Sequence, residues 1–218
     1  MDRMTTRHPA AHLHRSNPSL TLVLFVTFYM LVCSGLALRA GNTEFLMYAV
    51  VMLVFIAIAL LLHLRVRFSP LALWLLAIWG GLHMAGGTIA IDPQFTDAFR
   101  AATTDESKPT SAVLYSLRYF EALPRYDQFI HTFGFFSATI ASYESAKTLL
   151  VARKSFALAT IAALMGIGLG ALNEVIEFIA VLSMPETNVG GYFNTAWDLV
   201  SNTIGASIAV LFIMIRKN

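Results

Sequence analysis

The chain has 218 residues, of which 57% are hydrophobic and only 13% charged, and its mean hydropathy is +0.66. A soluble domain carries about a quarter charged residues. Here the Lys and Arg gather in short segments between long apolar runs, the pattern of a chain whose solvent is lipid. A dispersed net charge of +2 excludes nucleic acid as a partner, and the lone Cys33 excludes an intrachain disulfide framework.

In chain order, residues 1–18 form a basic tail that includes His8, His12 and His14. These histidines are loosely spaced and read as part of a solvated tail near the membrane surface rather than as a metal-binding arm. The apolar run that follows is as long as a full span and is not closed by a small-residue cleavage site. It therefore reads as an uncleaved first helix. Six runs reach the roughly 20 residues that a helix needs to cross the hydrocarbon layer. They lie at 20–38, 45–64, 71–91, 126–150, 156–182 and 195–215, and the fourth is the least apolar. The expected fold class is an all-α polytopic transmembrane bundle of six helices, spanning 19–215, with an outer loop at 92–125 and a short tail at 216–218.

Charge gives the expected orientation, because cytoplasmic segments retain Lys and Arg. With the N-terminus inside, the inner segments hold Arg3, Arg7, Arg15, Arg65, Arg67, Lys147, Arg153, Lys154, Arg216 and Lys217. The outer segments hold Arg39, Arg100, Lys108, Arg118 and Arg125, all but Arg39 in one long loop. Both ends are expected in the cytoplasm.

Ionisable groups inside spanning helices are costly, so each needs a partner or a reason. The third helix carries His83 and the fourth Asp127 and His131. The fifth carries Asn173, Glu174 and Glu177, and the sixth Asp198 and Asn202. At about 1.5 Å of rise per residue, all but Asp127, which opens the fourth helix, fall roughly 5 to 14 Å from the outer helix ends. Asp127 and His131 are four apart, as are Asp198 and Asn202, and Glu174 and Glu177 are three apart, so each set shares a helix face. Glycines at 80, 81, 86 and 87, at 134, at 166, 168 and 170, and at 205 are expected to let these helices approach closely.

Four carboxylates at one depth, with no Lys or Arg among them in the helices, cannot all stay charged and dry. Some are protonated, or a cation sits among them, or Arg118 and Arg125 dip in from the outer loop. Oxygen ligands with two imidazoles suit a divalent metal, its identity open among Mg, Mn, Ca and Zn. The expected site is Asp127, His131, Glu174, Glu177 and Asp198, as acids, bases or metal ligands. His83 is an additional ligand, and Asn173, Asn202, Arg118 and Arg125 are supporting residues. The bland alternative is that these groups only hydrogen-bond helices together.

Other residues have simpler readings. Glu144, Lys147, Arg153 and Lys154 lie near the inner surface, where solvation or lipid headgroups account for them. Trp74, Trp79 and Trp197 read as packing or interface aromatics, and His63 as an inner-interface residue. Residues 112–123 follow a polar stretch and alternate apolar and polar positions at helical spacing, as a segment lying on the outer surface or capping the pocket would.

These residues carry a family resemblance. Tyr126-Asp127-x-x-x-His131-x-x-Gly134 with Glu144 further on, Leu82-His83 with Gly86-Gly87, Asn173-Glu174-x-x-Glu177 and Trp197-Asp198-x-x-x-Asn202-x-x-Gly205 together resemble the YjdF-like bacterial inner-membrane proteins. The wider order, Asp-x-x-x-His, then Glu, then Asp-x-x-x-Asn-x-x-Gly, is similar to that of VanZ-like proteins. The resemblance spans about residues 45 to 215. It implies the bacterial cytoplasmic membrane and supplies no catalytic assignment. Glu177 stands where the VanZ pattern has Gln, which adds a carboxylate.

Three functions follow as expectations. The first is a metal-assisted protein that modifies or binds a lipid or lipid-linked headgroup, with membrane lipids as its partners. The second is an accessory subunit with the cluster as helix glue, and the third an ion- or proton-coupled transporter. The almost wholly apolar stretches 157–164 and 206–215 speak against a through-path.

Overall fold

The computed structural model describes residues 18–96, 112–118, 124–185 and 187–216. The tail histidines, Arg100 and Lys108 fall outside these. The described residues form helices α1 (Leu20–Ala40), α2 (Thr43–Val66), α3 (Pro70–Thr88), α4 (Tyr126–Leu149), α5 (Phe156–Ser183) and α6 (Tyr192–Ile215). Two single 3-10 turns, Pro93–Phe95 and Leu114–Ser116, lie between α3 and α4. Residues 112–118 are thus a turn rather than the helix their spacing suggests.

Local chemistry sets the helix ends. The side chains of Ser19, Ser69 and Ser155 accept from the backbone N–H of Leu22, Ala72 and Leu158, satisfying donors that an open first turn leaves orphaned. Gly41, in the left-handed region at φ 65°, ends α1, and the Asn42 side chain caps α2 at once, so the two helices form a tight hairpin. α3 stops at Thr88, short of the expected 91. Beyond it the chain turns extended, and Ile89 C=O accepts from Leu114 N–H at 2.9 Å while Ala90 bridges to Val113. α6 begins three residues earlier than expected, at Tyr192 after Gly191.

Five helices, α1, α2, α3, α5 and α6, are long and apolar enough to cross a membrane. α4 is long enough at 24 residues but falls short in apolarity. Its position explains why. Thirteen of its 24 residues are buried against α3, α5 and α6, whereas only four of 21 are in α1. A helix surrounded by protein has no need of an apolar outer face. The other helices turn such residues as Leu31, Leu61, Leu164 and Leu211 outward.

α4 and α6 approach closely where Gly205 faces the backbone carbonyl of Thr132, a position with no room for a Cβ. Gly134 lies against the Trp79 indole, Gly166 against Thr139 and Gly170 against Asn202. Gly168 departs from expectation, since nothing lies within 4 Å of the place where its side chain would be.

Glu144 also departs from its expected role at a solvated surface. One of its oxygens accepts from the Ser69 backbone N–H at 2.7 Å and the other from the Ser69 hydroxyl at 2.6 Å. It ties α4 to the start of α3, where a carboxylate also complements the helix dipole.

Two outcomes test this packing. Gly205→Val should destabilise the purified protein by about 1–3 kcal/mol, the usual cost of overpacking, whereas Gly168→Ala should leave thermal unfolding in detergent unchanged or slightly improved. Glu144→Ala should cost about 1.5–3 kcal/mol, the range for hydrogen bonds to a charged group, read as a lowered Tm.

Candidate functional site

α3 and α5 end, and α4 and α6 begin, at one end of the bundle. The carboxylates and imidazoles of the four helices therefore fall at one level, as their spacing anticipates. Asp127, His131 and Asp198 form one group, and His131, Glu174 and Glu177 a second, each with potential ligand atoms within 4.8 Å of one another. His131 is common to both. This buried cluster has the composition and spacing to hold a metal ion.

The His131 ring is oriented from both sides. Its Nδ1 lies 2.9 Å from Asn202 Oδ1, a contact in which Nδ1 donates when it carries the proton. Its Nε2 faces Asp127 Oδ1 at 3.6 Å and Glu177 Oε1 at 3.9 Å, and Nδ1 lies 3.7 Å from Glu174 Oε1. An imidazole that donates one N–H to a carbonyl and turns the other nitrogen toward carboxylates is arranged as a metal-ligating histidine commonly is. Gly170 makes room for Asn202.

The carboxylates differ in their support. Glu177 accepts from Asn173 Nδ2 at 2.8 Å, which gives Asn173 its supporting place. Asp198 is fully buried and accepts from Asn194. Glu174 is 8% exposed, and among the described residues neither of its buried oxygens has a hydrogen-bond partner of good geometry. A dry carboxylate with no donor is costly, so Glu174 is the residue whose state most needs an explanation.

His83 belongs to neither group. It lines, with Asp127 and Glu177, a cavity of about 30 Å³ whose other walls include Glu44, Tyr48 and Tyr115. That volume admits a water or a bare ion. His83 Nδ1 is 2.5 Å from the Tyr115 hydroxyl, and its ring packs among Phe45, Tyr48 and Trp79. Burial, reinforced by the charges of Asp127 and Glu177, pushes the Tyr115 phenol well above its ordinary value, so it keeps its proton. Residues 112–118 thereby cap the site through Tyr115. Trp79 packs beside His83, as expected of a structural aromatic.

Of the two arginines expected from the outer loop, Arg125 is buried and its backbone N–H donates to Gln128 at the start of α4. Arg118 is half-buried beside the cap, its N–H donating to Phe95 C=O. Both engage partners in the structure.

Sequence reasoning missed several wall residues. Glu44, 4% exposed in the first turn of α2, accepts from the N–H and side-chain amide of Asn188 at 2.7 and 3.0 Å. Tyr48, one turn along α2, has a buried hydroxyl with no hydrogen-bond partner among the described residues. Asn194 lies four residues before Asp198, a helical spacing that would have revealed it.

No curated protein and no solved structure matches the chain. A family match covers residues 19–218, which include every helix and every cluster residue described above, and it is the group to which the YjdF-like motifs pointed. The chain belongs to the family described as predicted membrane protein (DUF2238).

Proposed function

We propose that the protein spans the bacterial cytoplasmic membrane six times with both ends inside, and that the His131 cluster binds a divalent metal ion. The metal would act on, or bind, the polar headgroup of a lipid or lipid-linked molecule in the outer leaflet. The observation that carries this reading is the pairing of Glu174 with His131. Among the described residues, neither buried oxygen of Glu174 has a hydrogen-bond partner of good geometry, and Oε1 lies 3.7 Å from an imidazole whose other nitrogen faces two more carboxylates. A cation held by His131, Glu174 and Glu177 would give the Glu174 carboxylate the partner it lacks. Such an ion supplies Lewis acidity toward a phosphoryl or carbonyl oxygen.

The orientation rests on Arg65, Arg67, Lys147, Arg153, Lys154 and Arg216, which lie at the end opposite the cluster. It places the cluster within reach of outer headgroups. Against transport, Ala159, Ala162, Ala206 and Ala209 are all fully buried between the cluster and the opposite end. A chain packed this tightly offers no polar passage.

Elemental analysis of the full-length protein, purified without chelator, should find a bound divalent metal that is lost in His131→Ala and in Glu174→Gln. Asn202→Ala, which removes the group orienting His131, should weaken metal affinity by about 10–100-fold. Cells whose only copy carries Glu174→Gln should show altered outer-leaflet headgroup composition. A wild-type protein that neither contains nor takes up Mn, Zn, Mg or Ca would leave the cluster as helix glue. A metal-loaded protein with unchanged lipids in the variant would remove the headgroup role alone.

A further inference from the structure

At the end of the bundle opposite the His131 cluster, α4 and α6 enclose a groove of about 300 Å³, at the lower end of the size range for small-molecule sites. Its walls combine two kinds of surface. Ile140, Phe212 and Ile213 are apolar, while Lys147 and Arg216 bring two positive charges. Tyr143, also in the wall, is 8% exposed, and its buried hydroxyl has no hydrogen-bond partner among the described residues. Glu144 lines the groove too, but both of its oxygens already accept hydrogen bonds from Ser69.

The surroundings point the same way. Lys154 donates from Nζ to the Arg216 carbonyl at 2.6 Å, which holds a third cation beside the groove, and the Arg216 guanidinium lies 5.9 Å from the Phe212 ring centre. At the end of α4 and in the adjoining turn, Leu149, Leu150 and Val151 are 59%, 66% and 89% exposed. Val151 adopts φ 50°, a left-handed conformation that β-branched residues rarely take. Three protruding apolar side chains next to a basic cluster match the boundary between acyl chains and headgroups.

We propose that this groove is a binding site for an anionic phospholipid. Its phosphate lies between Lys147 and Arg216 and accepts from the Tyr143 hydroxyl, while its glycerol and upper acyl chain lie on Ile140, Phe212 and Ile213. The apolar wall favours a lipid over free phosphate, since inorganic phosphate has nothing to place there. The two cations favour an anionic lipid over a zwitterionic one, as juxtamembrane Lys and Arg do at anionic surfaces. The site is separate from the His131 cluster and does not depend on its role.

The test uses the full-length protein in mixed nanodiscs, with lipids that survive delipidation into detergent counted by native mass spectrometry. Phosphatidylglycerol should be retained in preference to phosphatidylcholine, and excess inorganic phosphate should not displace it. Lys147→Gln and Arg216→Gln should each lower retention by about fivefold, Tyr143→Phe should lower it less, and metal content at the other end should stay unchanged. Equal retention of the two lipids would make the groove a nonspecific apolar crevice. Displacement by phosphate would make it an ion site, and unaltered retention in both charge variants would place the lipid elsewhere. Each of these overturns the proposal. If a variant fails to fold, the wild-type lipid preference and phosphate competition still decide the matter.

Discussion

A carboxylate placed in hydrocarbon must face protein, and this constraint organises the bundle. Asp127, Glu174, Glu177 and Asp198 are each intermediate or buried, and each turns toward a neighbouring helix. Meeting the requirement for four acids at one depth takes a helix with protein on several sides, and α4 is that helix. Its three serines, Thr139 and Tyr143 are buried along with His131, so the most polar helix is also the most enclosed. The apolar residues that would have made α4 resemble its neighbours were displaced by this role. Around it, glycines at 134, 166, 170 and 205 set how near the other helices can come. The acidic cluster thus depends on small residues as much as on its own charges.

Much of this was legible in the sequence. Helices appear as apolar runs, so α1, α2 and α5 fell close to expectation. The pairs Asp127–His131, Glu174–Glu177 and Asp198–Asn202 were visible because helical spacing forces residues three or four apart onto one face. Their convergence was readable from alternating helix direction, which places equal distances from helix ends at equal depth.

What was not legible came from contacts distant in sequence. Glu44 opens a very apolar helix, where an acid reads as a partner for the helix dipole. Its true partner, Asn188, is 144 residues away. Tyr48 and Tyr115 look like ordinary membrane aromatics until the loop folds Tyr115 onto His83. Glu144 looked solvated because its cap on Ser69 spans 75 residues. Gly168 looked like a packing glycine because its neighbours at 166 and 170 are, but helical rotation turns it the other way.

The contact between Glu44 and Asn188 changes how the first two helices should be regarded. By composition α1 and α2 resemble a simple greasy anchor. Yet the hairpin tip donates Asn42 Nδ2 to the Gly87 carbonyl at 3.1 Å and offers Glu44 to the segment between α5 and α6. The opening pair of helices therefore closes a wall of the cavity around His83, and a protein trimmed to its motif-bearing four helices would have that chamber breached on one side.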